Sequence, residues 1–150
     1  MKNAEKGILP YQDAQLPTED RVSDLVGRMT IKEKVRQLDQ YFGTPLLDKS
    51  HPRMQTVMAD DAQIQWDRVL ETIGDEGIGC IHDLYAYPAI NNALQHYAVE
   101  QTRLGIPLLF SEEALHGLGR PGCTVFPHAI TQAGTWDPAV VEQIGRGIAA

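Results

Sequence analysis

The sequence predicts an α/β fold built on a parallel sheet. Two observations carry that expectation. Two short, apolar, strand-like runs, GIGCIH at 77–82 and IPLLF at 106–110, are separated by a helix-length periodic segment. Strands that alternate with helices of this length form βα units, whose strands pair in parallel. The 150 residues hold 43% hydrophobic and 22% charged residues, the balance of a globular chain rather than a disordered one.

Residues 1–17 are polar, with two prolines, and read as an extended N-terminal arm. Thr18 is a candidate helix cap, with Glu19 and Asp20 in the first turn, where the helix dipole favours negative charge. Val22, Leu25, Val26 and Met29 then follow helical spacing. Thr30-Ile31-Lys32-Glu33 is a capping box opening a second helix, expected to run to about Tyr41 and to stop near Gly43. Pro45 and Pro52 bracket a loop. Asp60 or Asp61 can cap a third helix with Ile64, Val69 and Ile73 on one side, Trp66 and Leu70 beside them, and Gly74 at its end.

The run at 77–82 is expected to be a buried strand. A helix from Pro88 carries Ile90, Leu94, Tyr97 and Ala98 to Leu104 and stops at Gly105. The run at 106–110 reads as a strand covered on both faces. Residues 129–136 fit either a short helix or a third strand. Asp137-Pro138 is a cap followed by proline at the first helical position, and Val140, Val141, Ile144 and Ile148 mark one face of the helix it opens. The chain closes on VVEQIGRGIAA, the look of a helix cut in mid-run.

Charge and motif content exclude several function classes. Twenty acidic against 13 basic residues give a net charge of -7, which argues against nucleic acid or an anionic membrane as partner. No stretch approaches the roughly 18 apolar residues of a membrane span. The N-terminus lacks the apolar run of a signal peptide, which reads as a cytoplasmic chain; a leader exchanged for an initiator Met would read the same. Cys80 and Cys123 belong to no CxxC pair and read as small buried hydrophobes. No GxGxxG, P-loop, HExxH or G-x-S-x-G occurs, so no cofactor is expected and Ser111 is not set up as a nucleophile. Trp66 and Trp136 offer faces for a sugar, but their positions read as core.

In parallel α/β folds, ligand-contacting residues sit at the C-terminal ends of strands. The prime segment is therefore Ser111-Glu112-Glu113-Ala114-Leu115-His116-Gly117, and the second is His82-Asp83. The strand pleat sends Glu112 and Glu113 to opposite faces, so the pair is not a catalytic dyad. Glu113 is the candidate ligand contact, with His116 and Arg120 nearest to support it. Glu112 reads as a supporting or solvated residue. A metal reading would draw on His82, Asp83, His116 and His128, although no metal motif joins them.

Three blocks then stand out together. YQDAQLPTEDRVSDLVGRMTIKEKVRQLDQ resembles the opening of glycoside hydrolase family 3, with its "RV..LL.RMT..EK..Q" pattern. RLGIPLLFSEEALHG resembles the family's "RLGIPLLF..D/EALHG" strand and loop, and TVFPHAITQAGTWDPAVVEQIGRGIAA its "T.FP.AI..A.TWDP.LV..IG..IA" segment. The resemblance implies that residues 18–150 are the N-terminal portion of a TIM-type (β/α)8 barrel, preceded by two or three helices. It implies an exo-acting, retaining β-glucosidase or β-xylosidase acting on an oligosaccharide or glycoside. The family's aspartate nucleophile and glutamate acid/base, which in retaining enzymes lie about 5 Å apart, match no residue of this chain. Glu113 matches the acidic residue that contacts hydroxyls of the terminal sugar. Many glucosidases of the family have aspartate there, and the longer glutamate favours a pentose such as xylose. His116 and Gly117 match as loop bracing. A non-catalytic carbohydrate-binding or structural fragment, or a metal-dependent hydrolase, are the rival readings, and a homodimer stays open.

Overall fold

A computed structural model of the chain describes residues 8–48, 62–85, 88–120 and 122–149. Its elements in order are α1 (Thr18–Arg28), α2 (Ile31–Arg36), β1 (Gln40–Phe42), α3 (Trp66–Thr72), β2 (Cys80–His82), α4 (Pro88–Gln101), β3 (Leu109–Ser111), α5 (Ala129–Ala133) and α6 (Pro138–Ala149). The three strands form one parallel sheet in the order β1-β2-β3. Gln40, Cys80 and Leu109 share one row, Tyr41, Ile81 and Phe110 the next, and Phe42, His82 and Ser111 the last. Consecutive parallel strands as neighbours are the arrangement from which a (β/α)8 barrel is built.

The first part of the chain departs from the periodicity in an instructive way. The capping box forms as expected: Glu33 N–H donates to Thr30 Oγ1 at 3.2 Å, and Thr30 N–H to Glu33 Oε2 at 2.8 Å. The helix nevertheless ends at Arg36 rather than near Tyr41. Gln40-Tyr41-Phe42 is a strand instead, because its backbone finds partners along β2, and tertiary pairing overrides local helical spacing. At α1 the capping residue is Pro17, and Thr18 is the first helical residue; Glu19 and Asp20 do occupy the first turn. In the arm, a 3-10 turn at Pro10–Gln12 packs on α1, and the Tyr11 hydroxyl donates to the Leu104 carbonyl at 2.6 Å.

Expected caps at Asp60 and Asp61 lie outside the described residues, and α3 opens at Trp66. Val69 of that helix and Ile73 just after it are fully buried, together with Leu46, Leu47, Ile78, Ile81, Leu84, Leu94 and Ala98. This core sits between the sheet and helices α3 and α4. Gly74 closes α3 in the left-handed region, at φ +61°, whereas α4 ends at Gln101 rather than Leu104, short of Gly105, which sits at φ +61° in the connection to β3. Residues 129–136 resolve into the short helix α5, and Asp137 caps α6 by accepting from Ala139 N–H at 2.9 Å.

Three burial expectations are corrected. Trp136 is 93% exposed and Trp66 46%, so neither is core: Val69 and Ile73 take the inward side of α3, and Trp136 sits at φ +53° in the turn before α6. Cys123 lies exposed in the loop after β3, whereas Cys80 is half-buried in β2. IPLLF is a strand only from Leu109 onwards, and it is not covered on both faces. Leu108 is buried but Leu109 is 66% exposed, since alternate residues of a strand face opposite ways.

One ion pair ties the leading helices to the βα units. Glu33 is 2% exposed, and its carboxylate accepts from Arg103 Nε at 2.6 Å and from Arg103 Nη2 at 2.5 Å. Arg103 also donates to the Arg28 carbonyl at 3.0 Å, so it closes the end of α1 as well. The Arg103 guanidinium, helped by Thr30, holds the Glu33 carboxyl down at about 2. A carboxylate depressed in the folded state adds stability above its unfolded value and loses it as pH falls towards the folded value. Acid unfolding is therefore expected to gain a Glu33-dependent component between about pH 4.5 and 2, which Glu33→Gln abolishes. Arg103→Ala is expected to cost roughly 3 kcal/mol in a denaturant titration, the low end for stranding a buried charge because the arginine itself is partly exposed. A loss below about 0.5 kcal/mol, the scale of a surface pair, would contradict this reading.

Candidate active site

The parallel register places the ends of β2 and β3 side by side, and the strand-end residues of both meet there. His82 and Ser111 occupy one row. His82 Nδ1 lies 3.3 Å from Ser111 Oγ, and His82 Nε2 lies 3.1 Å from Asp83 Oδ2. Ser111 Oγ is also 3.3 Å from Cys80 Sγ. Ser111 sits within the strand rather than on a strand-to-helix elbow, so the series reads as a brace across two strands. On the other side of His82, the Phe42 ring lies 5.5 Å away between centroids.

Beyond the strands, two loops are cross-linked by three hydrogen bonds. Asp83, itself buried, accepts from the Glu113 N–H through Oδ1 at 3.3 Å. Glu112 accepts from the Tyr85 N–H through Oε1 at 2.9 Å. The Tyr85 hydroxyl donates to the Glu113 carbonyl at 3.4 Å, a long contact. Asp83 and Tyr85 adopt left-handed backbone angles, φ +52° and +49°. Such conformations cost free energy in non-glycine residues and persist only where surrounding contacts impose them.

The two adjacent glutamates take different environments. Glu113 is exposed, and its backbone is tied down while its side chain makes no hydrogen bond among the described residues. Glu112 is half-buried, and its second oxygen, Oε2, is buried without a hydrogen-bond partner among the described residues. Burial raises the Glu112 carboxyl above the usual range, and the nearby Asp83 carboxylate adds to this against the Tyr85 N–H. Burial also pushes the Tyr85 phenol up to about 12, with Asp83 contributing, so it stays a donor throughout the working pH range.

The loop after β3 is held from within. The His116 carbonyl accepts from Phe126 N–H at 2.6 Å, and the His116 ring packs on His128 with centroids 4.0 Å apart. His116 is half-buried, as is Arg120, whose carbonyl accepts from Cys123 N–H at 3.1 Å. Among the described residues no three His, Cys, Asp or Glu side chains converge as a metal-holding group, and His82-Asp83 and His116-His128 pair off separately. A cleft of about 780 Å³ lies beside β1 and α3, lined among others by Tyr41, Phe42 and Arg68, and none of the strand-end acids lines it.

Sequence reasoning singled out Glu113, Glu112, His82 and Asp83, and the fold brings all four to one end of the sheet. It missed Tyr85. The available signal was its place three residues beyond a strand end, at the same end as the β3 loop.

The chain is similar to known proteins. Residues 30–150 match the model of the glycosyl hydrolase family 3 N-terminal domain. The chain therefore belongs to glycosyl hydrolase family 3. It is 31% identical over 140 residues to a putative β-xylosidase of Formosa agariphila, covering 89% of this chain and 17% of that protein. It is 32% identical over 117 residues to a periplasmic β-glucosidase/β-xylosidase of Dickeya chrysanthemi, covering 74% and 16%. A solved β-glucosidase from Erythrobacter marinus superimposes with a TM-score of 0.56 at 30% identity, covering 89% of this chain and 17% of that one. The chain thus spans about a sixth of the length of these relatives.

Gly117 sits at φ +108°, and a Cβ there would meet the Thr124 carbonyl oxygen at 2.3 Å. Gly117→Ala is expected to loosen the loop after β3 at a cost of about 1–3 kcal/mol. Limited proteolysis should then cut between residues 114 and 127 faster than in the unaltered protein. An unchanged cleavage rate would contradict the bracing role given to this turn.

Proposed function

We propose that the whole protein of which this sequence is a part is a retaining, exo-acting β-glycosidase. It removes terminal non-reducing β-D-xylosyl or β-D-glucosyl residues from oligosaccharides or glycosides, on a (β/α)8 barrel whose first strands are β1, β2 and β3. The observation that carries this reading is Glu113: it ends the RLGIPLLFSEE strand and loop, exposed, at the C-terminal end of a parallel sheet, where ligands of such sheets bind. Its carboxylate accepts hydrogen bonds from hydroxyls of the terminal sugar. The nucleophile and the acid/base lie beyond residue 150. Glutamate at position 113 supports the xylosyl substrate, and so does the Formosa relative named as a putative β-xylosidase.

The test is hydrolysis of p-nitrophenyl β-D-xyloside and β-D-glucoside by the full-length protein. Release is expected, faster from the xyloside. Glu113→Ala should raise KM and lower kcat together, because sugar-hydroxyl contacts tighten in the transition state. Monosaccharide binding by calorimetry without turnover would favour a non-catalytic sugar-binding role, and unchanged kinetics in Glu113→Ala would remove Glu113 from the site.

A further inference from the structure

Resting on the assignment of Glu113 above, we infer that Glu112 is a positioning residue: it holds Tyr85, and Tyr85 with Asp83 clamps the Glu113 backbone, so that Glu113 meets the sugar from a fixed place. The geometry is a closed circuit between the ends of β2 and β3. Glu112 takes the Tyr85 N–H at 2.9 Å. Asp83 takes the Glu113 N–H at 3.3 Å, and the Tyr85 hydroxyl gives to the Glu113 carbonyl at 3.4 Å. Glu113 is therefore held through both its backbone N–H and its carbonyl by residues of the neighbouring loop, while its side chain is left free for a ligand.

Glu112 is the member without which the circuit opens. Tyr85 sits at φ +49°, a strained conformation for a tyrosine, and the Glu112 carboxyl accepts its backbone N–H. Asp83 is steadied separately, by His82 Nε2 at 3.1 Å. The titratable groups that face Glu112 are Asp83, His82 and Tyr85, all from the end of β2. In that setting burial raises the Glu112 carboxyl above the usual range, and its Oε1 accepts the Tyr85 N–H. A glutamine at 112 preserves the acceptor; an alanine removes it.

This predicts a coupling between Glu112 and Glu113 that simple loss of stability would not produce. The full-length protein is assayed on p-nitrophenyl β-D-xyloside as Glu112→Ala, Glu112→Gln, Glu113→Ala and the double variant Glu112→Ala/Glu113→Ala. Glu112→Ala is expected to lower kcat/KM about 10- to 100-fold, the scale of an ångström-sized misplacement. Glu112→Gln should stay within about threefold of the unaltered enzyme, because the acceptor survives. In the Glu113→Ala background, Glu112→Ala should cost less than about threefold more, since a residue acting through another has nothing left to position. Tyr85→Phe, which leaves the Tyr85 N–H in place, should fall between Glu112→Gln and Glu112→Ala. If Glu113→Ala is impaired but the two effects multiply independently, the positioning role is overturned and the sugar contact stands. If Glu113→Ala is not impaired, or the full-length protein hydrolyses neither glycoside, the reading of Glu113 fails and this inference falls with it. If Glu112→Ala fails to fold, Glu112→Gln decides: activity as low as that of Glu113→Ala would overturn the inference.

Discussion

Parallel pairing between β2 and β3 is the constraint on which the rest of this structure depends. Parallel strands all point one way, so the loops that leave their C-terminal ends collect on the same edge of the sheet. The register Cys80–Leu109, Ile81–Phe110, His82–Ser111 then sets which residues become neighbours. Asp83, one residue past β2, reaches the Glu113 N–H two residues past β3, and Tyr85 reaches Glu112 and Glu113. Slipping the register by one residue would turn Ile81 out of the core and part all of these contacts at once. The buried apolar row beneath the site, with Ile81, Leu84, Leu94 and Leu108, is what holds that register.

The leading helices serve the same end from a distance. Glu33 belongs to a local motif, the capping box of α2, and to a long-range one, the pair with Arg103 after α4. A single buried carboxylate thus fixes where the first helices meet the βα units, and Arg103 in turn leads through Gly105 into β3. Arg36 works in parallel: it donates to the Thr72, Ile73 and Gly77 carbonyls at the end of α3 and just before β2. Both arginines satisfy carbonyls that helix ends leave without intrahelical partners, as Arg103 does for Arg28 and Arg36 for Thr72 and Ile73.

What the sequence revealed and what it concealed divide along physical lines. Features set by neighbours in the chain were legible: the capping box at Thr30, the stop at Gly74, the cap and proline opening α6, and the strands β2 and β3. Features set by distant partners were not. Gln40-Tyr41-Phe42 continues a helical pattern, and only the edge of β2 makes it a strand. Trp136 is apolar, and only the fold leaves it 93% exposed. The site shows the same divide. The strand-end rule located Glu113, His82 and Asp83, because chain position alone puts them at the ligand-binding end. Glu112 was legible only as a supporting or solvated residue and Tyr85 not at all, since an acceptor for a strained backbone N–H exists only once the two loops lie side by side. The family blocks added what local chemistry lacks, the carbohydrate class of the ligand proposed above.

The central claim is that Glu113, presented from the end of β3 by the neighbouring loop, touches the terminal sugar. A crystal structure of the full-length protein with bound xylose tests it most directly. The account predicts the Glu113 carboxylate within about 3 Å of sugar hydroxyls, with the Glu113 N–H still on Asp83 and the Tyr85 N–H still on Glu112. Xylose bound elsewhere, with the Glu113 side chain left in solvent, would contradict it.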